Sequence, residues 1–257
     1  MPLYEQQVKE HPTVLEHRLS LADTLNELAL LRIDTLDTTL RRGELNPVEA
    51  VRQTQQATTE AKRAVDSLSG IITQAKQDIE RLRTTRPDVV ERNEKLIRDL
   101  TPLLAIFKAD QRQVETAHRR YVRLRVALGQ FDRQPDTKHA QALAYLLVTA
   151  FDQPELIDDA VKGKLDDAWR ERIDLACQPV SDLDTAQART VSRWYADLAA
   201  GVRDNDAKAA MLIRARVYAT AATEPNSPTP VVNNLNEQLA ALGWSPERIA
   251  HAHNDLT

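Results

Sequence analysis

Glu115 and His118 form a Glu-x-x-His pair, the spacing with which helical bundles hold two metal ions among carboxylates. Such a centre takes two of these motifs and two further glutamates facing them. The sequence has one motif, so the pair reads as a polar layer or a solvated face, and no metal is expected. Glu247 and His251 share a helix face at i and i+4, while His251 and His253 point apart; these read as surface residues. Asp158-Asp159 and Asp166-Asp167 carry the oxygen chemistry of a cation site, and read first as ordinary acids on a helix surface. Cys177 is the one cysteine, which excludes a disulfide within the chain and any multi-cysteine zinc site. With no activating base beside it in sequence, it is expected to be a buried thiol rather than a nucleophile. Glycine-rich phosphate loops, Gly-x-Ser-x-Gly elbows and His-Glu-x-x-His motifs are absent from the sequence. No catalytic residue and no cofactor is expected.

The charge feature that stands out is basic. Arg112, Arg119, Arg120, Arg123, Arg125 and Arg133 gather within one stretch, with Tyr121 among them. Arg112, Arg119 and Arg123 fall close to one helix face. Such a face can meet an acidic protein surface, or the phosphates of nucleic acid or lipid. Pairing with the acids of the second half, notably Asp158, Asp159, Asp166, Asp167 and Glu171, would instead make it internal. The chain carries about +2 up to Gln134 and about −6 beyond it. The whole is at −4, which gives no global nucleic-acid signature.

These residues must be positioned by helices. The 257-residue chain is 42% hydrophobic but only 4% aromatic, with 6 glycines, a balance that favours helix over sheet. The fold class expected is all-α: a long antiparallel helical hairpin with a first helix packed at its base, plus a C-terminal helical globular module. The first helix is expected to begin near Pro12, carry a broad stripe (Leu15, Leu19, Ala22, Leu25, Ala29, Ile33, Leu36, Leu40), and close at Gly43. The hairpin spans 47–128. Val51, Thr54, Thr58, Ala61, Val65, Leu68, Ile72, Ala75, Ile79 and Leu82 alternate in steps of three and four, the seam of a coiled coil. Asn46 is placed to cap this arm, with Glu49 completing a capping box, and Gly70 falls on the outer face. Pro87 marks the turn. An antiparallel return sets Ala75 against Ile97, Ile72 against Leu100, Leu68 against Leu104 and Val65 against Phe107. Nearer the base, Ala61 meets Gln111 and Thr54 meets His118, polar layers for the first helix to cover. Pro102 either kinks the return arm or recaps it.

Gly129 to Pro135 is the expected boundary, which makes 1–132 a helical bundle. A module over 136–223 follows. One helix carries Leu143, Leu146, Leu147 and Phe151. The next opens on an Asp152-Gln153-Pro154-Glu155 capping box and holds Ile157, Val161, Leu165, Trp169 and Ile173. A third holds Val191, Trp194, Tyr195 and Leu198, and a fourth Leu212, Ile213 and Val217. After a proline-rich loop, 231–257 forms a small helical pair. Its Ala241-Leu242-Gly243-Trp244-Ser245 stretch resembles the first loop of a ubiquitin-associated domain over a small part of the chain, and no assignment rests on it.

The function expected is that of a non-enzymatic structural or interaction protein, a scaffold or adaptor acting through protein–protein contacts. A homodimer fits the seam. Anionic membrane or nucleic-acid binding through 112–133 is the alternative, and an enzyme with a dispersed site the third reading. With no apolar run approaching ~18 residues and no signal pattern at the amino terminus, a soluble cytoplasmic protein is the expectation.

Overall fold

A computed structural model describes residues 15–223 and 230–254. The expected helix start near Pro12 and the proline-rich loop lie largely outside the described residues. Everything described is helix, turn or loop, with no strand. The chain divides at Arg125/Val126 into two compact units, each with its own core.

The first unit is a helical hairpin covered by one more helix: α1 (Leu15–Arg41), α2 (Pro47–Leu82) and α3 (Pro87–Arg133), the last running on past the division. Gly43 closes α1 at φ +69°, a left-handed conformation that glycine adopts without cost. Asn46 Oδ1 accepts from the Val48 and Glu49 backbone N–H groups at 3.0 and 3.1 Å. The expected capping box is incomplete, because the Glu49 carboxylate turns to Arg52 at 2.6 Å and to Gln53. Pro87 opens α3 after the turn. Pro102 neither ends nor recaps α3; it lies exposed within the continuous helix, on the solvent side where a freed carbonyl can be hydrated.

The hairpin register is the one its heptads specify. Val65, Leu68 and Ile72 share a core with Leu100 and Phe107, with Ile97 and Leu104 packed on it. At the polar end Thr54 Oγ1 lies 2.8 Å from His118 Nδ1. A second heptad runs beside the first: Ala50, Ala57, Ala64 and Ile71 are all buried. Ala57, Ala64 and Ile71 pack with α1 residues Ala22, Leu25, Ala29 and Ile33. Small side chains on both sides let the α1 and α2 backbones approach within 8 Å over much of their length. The first helix therefore covers more than the base of the hairpin, reaching Ile72 and Leu100. Gly70 is not on an open face either: the Arg18 guanidinium lies over it, 3.1 Å from where a Cβ would stand.

Polar pairs pin the three helices at fixed heights. Asn26 Nδ2 donates to Asp110 at 2.7 Å, and Arg32 binds the buried Glu60 through Nε at 2.9 Å. Tyr121 Oη donates to Asp37 at 2.6 Å. Each of these bonds exists at one register only, so together they exclude the slipped alternatives that alanine stripes alone would tolerate.

The second unit is built around an α7/α8 pair (Thr185–Gly201 and Asn205–Ala221), following α4 (Thr137–Phe151), α5 (Asp159–Lys162) and α6 (Asp167–Ala176). Trp169, Trp194, Tyr195 and Tyr218 make successive ring contacts with centroids 5.1–5.8 Å apart, edge-on between the tryptophans, tilted between Trp194 and Tyr195, and stacked between the tyrosines. α9 (Pro230–Ala241) and α10 (Pro246–Asn254) pack on α8, and Arg248 lies 3.8 Å above the Trp244 ring. Phe131, from the last turns of α3, is buried, so helix continues through most of the expected boundary loop. The single helix expected after Asp152 is three pieces: a 3-10 turn at Pro154–Leu156, then α5, then α6. Asp158 and Asp166 break it, each accepting the N–H three residues on at 2.8 Å.

Candidate functional site

The arginines of α3 separate into two groups. Arg120 and Tyr121 turn inward to Asp37 of α1, Arg120 at 3.8 Å and Tyr121 as a buried donor. Burial, then the adjacent Asp37 carboxylate, pushes the Tyr121 phenol far above its ordinary range, so it stays protonated and donates. Tyr121 is thus a structural cross-link and no part of an exposed surface. Arg112, Arg119, Arg123 and Arg125 are exposed on the first unit, and Arg133 is exposed in the second. Arg119 donates to the Thr116 hydroxyl on its own helix at 3.0 Å. Among the described residues of the first unit, none of Arg112, Arg119, Arg123 and Arg125 has a carboxylate at ion-pair distance.

Ala105, Ala109, Arg112, Thr116, Arg119 and Arg123 follow one another at steps of four, three, four, three and four along α3. That is heptad spacing on the outer side of the helix, away from the seam. All but Thr116 are exposed, and Ile106 beside them is 55% exposed. The strip thus begins in small side chains and continues in guanidinium groups.

Three of the acids named as internal partners have bonds within their own unit. Asp158 and Asp166 cap α5 and α6, Asp166 also accepts from Gln141, and Asp167 lies 3.4 Å from Arg170. Of the metal candidates, Glu115 accepts from Gln111 at 2.8 Å and His118 meets Thr54. Among the described residues no group of three or more His, Cys, Asp or Glu is placed to hold a metal ion. Cys177 is exposed rather than buried, at the C-terminal end of α6. Partial burial of its sulfur pushes the thiol pKa up against the pull of Lys162, the opposite of an activated nucleophile.

The second unit holds a cluster that sequence reasoning missed. Asp152 ends α4 in a left-handed conformation, φ +53°, where glycine is usual. Its N–H donates to the Val148 carbonyl and the N–H of Gln153 to the Leu147 carbonyl, which satisfies two carbonyls of the last turn. Its carboxylate is bridged by Arg214 Nε, 3.0 Å from each oxygen. Burial raises the Asp152 pKa despite that guanidinium. Close by, a cavity of about 320 Å³ is lined by Ala176, Pro179, Val180, Arg214 and Tyr218 among others. The Tyr195 hydroxyl is buried without a hydrogen-bond partner. A signal for this cluster does exist in the sequence. Arg214 sits in a stretch whose neighbours Met211, Leu212, Ile213, Ala215, Val217 and Tyr218 are apolar almost all round, the mark of a charge held inside a core.

Among the described residues no helix is long and apolar enough to cross a membrane. No family model, curated protein or solved structure matches the chain.

Proposed function

We propose that this protein is a soluble, cytoplasmic, non-enzymatic scaffold or adaptor that acts through protein–protein contacts, with the outer strip of α3 as its docking face. The reading rests on one observation: Arg112, Arg119 and Arg123 recur at heptad spacing on an exposed helix face, with no carboxylate at ion-pair distance among the described residues of their own unit. Alanines at 105 and 109 continue the strip, leaving room for a second helix to lie against the backbone. The partner this chemistry fits is an acidic helix, whose carboxylates would find three guanidinium groups in one line. Phosphate polymers fit less well. The chain's net charge of −4 repels them at a distance, and the strip has no exposed aromatic side chain on which bases could stack.

The test uses full-length wild type and an Arg119→Glu, Arg123→Glu double variant as baits in native lysate, with mass measurement of each complex. A discrete protein partner recovered by wild type and lost by the variant is the expected result. Thermal stability should hardly change, since exposed charges contribute under about 1 kcal/mol each. Nucleic acid in the eluate, or salt-sensitive binding of wild type to anionic vesicles with no protein captured, would overturn the reading.

A further inference from the structure

We infer that the cavity between the α6–α7 connection and α8 is a binding site for a small planar carboxylate. Its one charged wall is Arg214, and the way that arginine is held decides what it can offer. Asp152 engages Nε alone, which holds the guanidinium and leaves Nη1 and Nη2 without a hydrogen-bond partner among the described residues. Two parallel N–H donors on a locked, planar group match the two oxygens of a carboxylate. The rest of the lining sets Ala176, Pro179, Val180 and the Tyr218 ring beside the uncharged polar side chains of Gln178 and Ser181, which gives the hydrocarbon body of such a ligand an apolar surface that a free inorganic anion would not use.

A further observation points the same way. Asp152 holds a left-handed backbone conformation that costs a non-glycine residue of order 1–2 kcal/mol, and what that strain secures is the position of Arg214. The site's charge then selects the ligand. Arg214 is offset by Asp152, so the pair is neutral overall; a monoanion gains the guanidinium edge, whereas a dianion also meets the carboxylate behind it.

Benzoate serves as the probe, titrated into the full-length protein while the indole N–H signals of Trp169 and Trp194 are followed by NMR. Saturable shifts with a Kd of about 1–10 mM are expected, the affinity open to a nine-atom ligand with one ion pair. Val180→Trp, which fills the cavity and leaves Asp152–Arg214 intact, should weaken binding about tenfold or more, and Arg214→Lys should do the same by removing the fork. If Arg214→Lys fails to fold, Val180→Trp decides alone. Inorganic phosphate over the same range should give no saturable shift. Shifts that never saturate, phosphate binding as tightly as benzoate, or full binding in Val180→Trp would each overturn the proposal.

Discussion

Asp152 carries two separable burdens, a backbone conformation and a carboxylate, and three substitutions separate them. Asp152→Ala loses both and should destabilise the protein by up to about 3–5 kcal/mol, the range for a buried pair broken on one side. Asp152→Gly restores the left-handed backbone freely and should recover about 1 kcal/mol of that loss. Asp152→Asn keeps the backbone preference and one acceptor, and isolates the charge. Because burial raises the folded-state pKa of Asp152 above 3.8, the folded state binds its proton more tightly than the unfolded chain does. Wild type should therefore gain stability relative to Asp152→Asn as pH falls from the folded pKa toward 3.8, and lose it as pH rises through the same window. Chemical denaturation of both proteins at several pH values measures this; a slope of the opposite sign would mean that Arg214, and not burial, governs the carboxylate. Arg214 left a trace in its apolar neighbours, but the part of Asp152 was not legible in the sequence. Asp152 has its partner 62 residues away, and its place before Gln153-Pro154-Glu155 looks like the start of a helix rather than the end of one.

At the scale of elements, legibility followed periodicity. The α2/α3 register could be read because large side chains recur at fixed steps on both arms, and the Thr54–His118 contact lies where those steps put it. The alanine heptad beside it was invisible as a packing surface, since Ala57 and Ala64 look like neutral helix formers until α1 is laid on them. Short helices were worse served. The Asp158 and Asp166 caps are the same residue type as surface acids, and only the bonds they accept tell the two apart. Two substitutions probe the close α1–α2 approach. Ala57→Leu inserts three carbons where nothing is exposed and should cost about 1–3 kcal/mol by forcing the helices apart. Gly70→Ala meets only the far end of the flexible Arg18 side chain, and should stabilise the helix by up to about 1 kcal/mol once that group shifts. Thermal melts of the two variants should thus move in opposite directions. Equal losses in both would show that Arg18 is as firmly seated as the alanine stripe.

At the scale of the whole molecule, the division at Arg125/Val126 falls inside the unbroken helix α3, where composition gives no warning. Glycine and proline at 129–135 marked a place where a chain can break, but burial of Phe131 shows helix and packing running through it. Two cores that each close on their own residues should also loosen separately. Leu68 is fully buried in the first unit, and Leu68→Ala should cost that unit about 2–5 kcal/mol. Native-state hydrogen exchange in the full-length variant reads the consequence region by region. Amides of α1 and α2 should exchange faster by the factor that this loss implies, at least about 30-fold at 25 °C. Those of α7 and α8, whose core is the Trp194–Tyr195–Tyr218 row, should keep their wild-type protection. Equal acceleration in both regions would show instead that the continuous helix α3 makes the chain one cooperative body, opening as a whole.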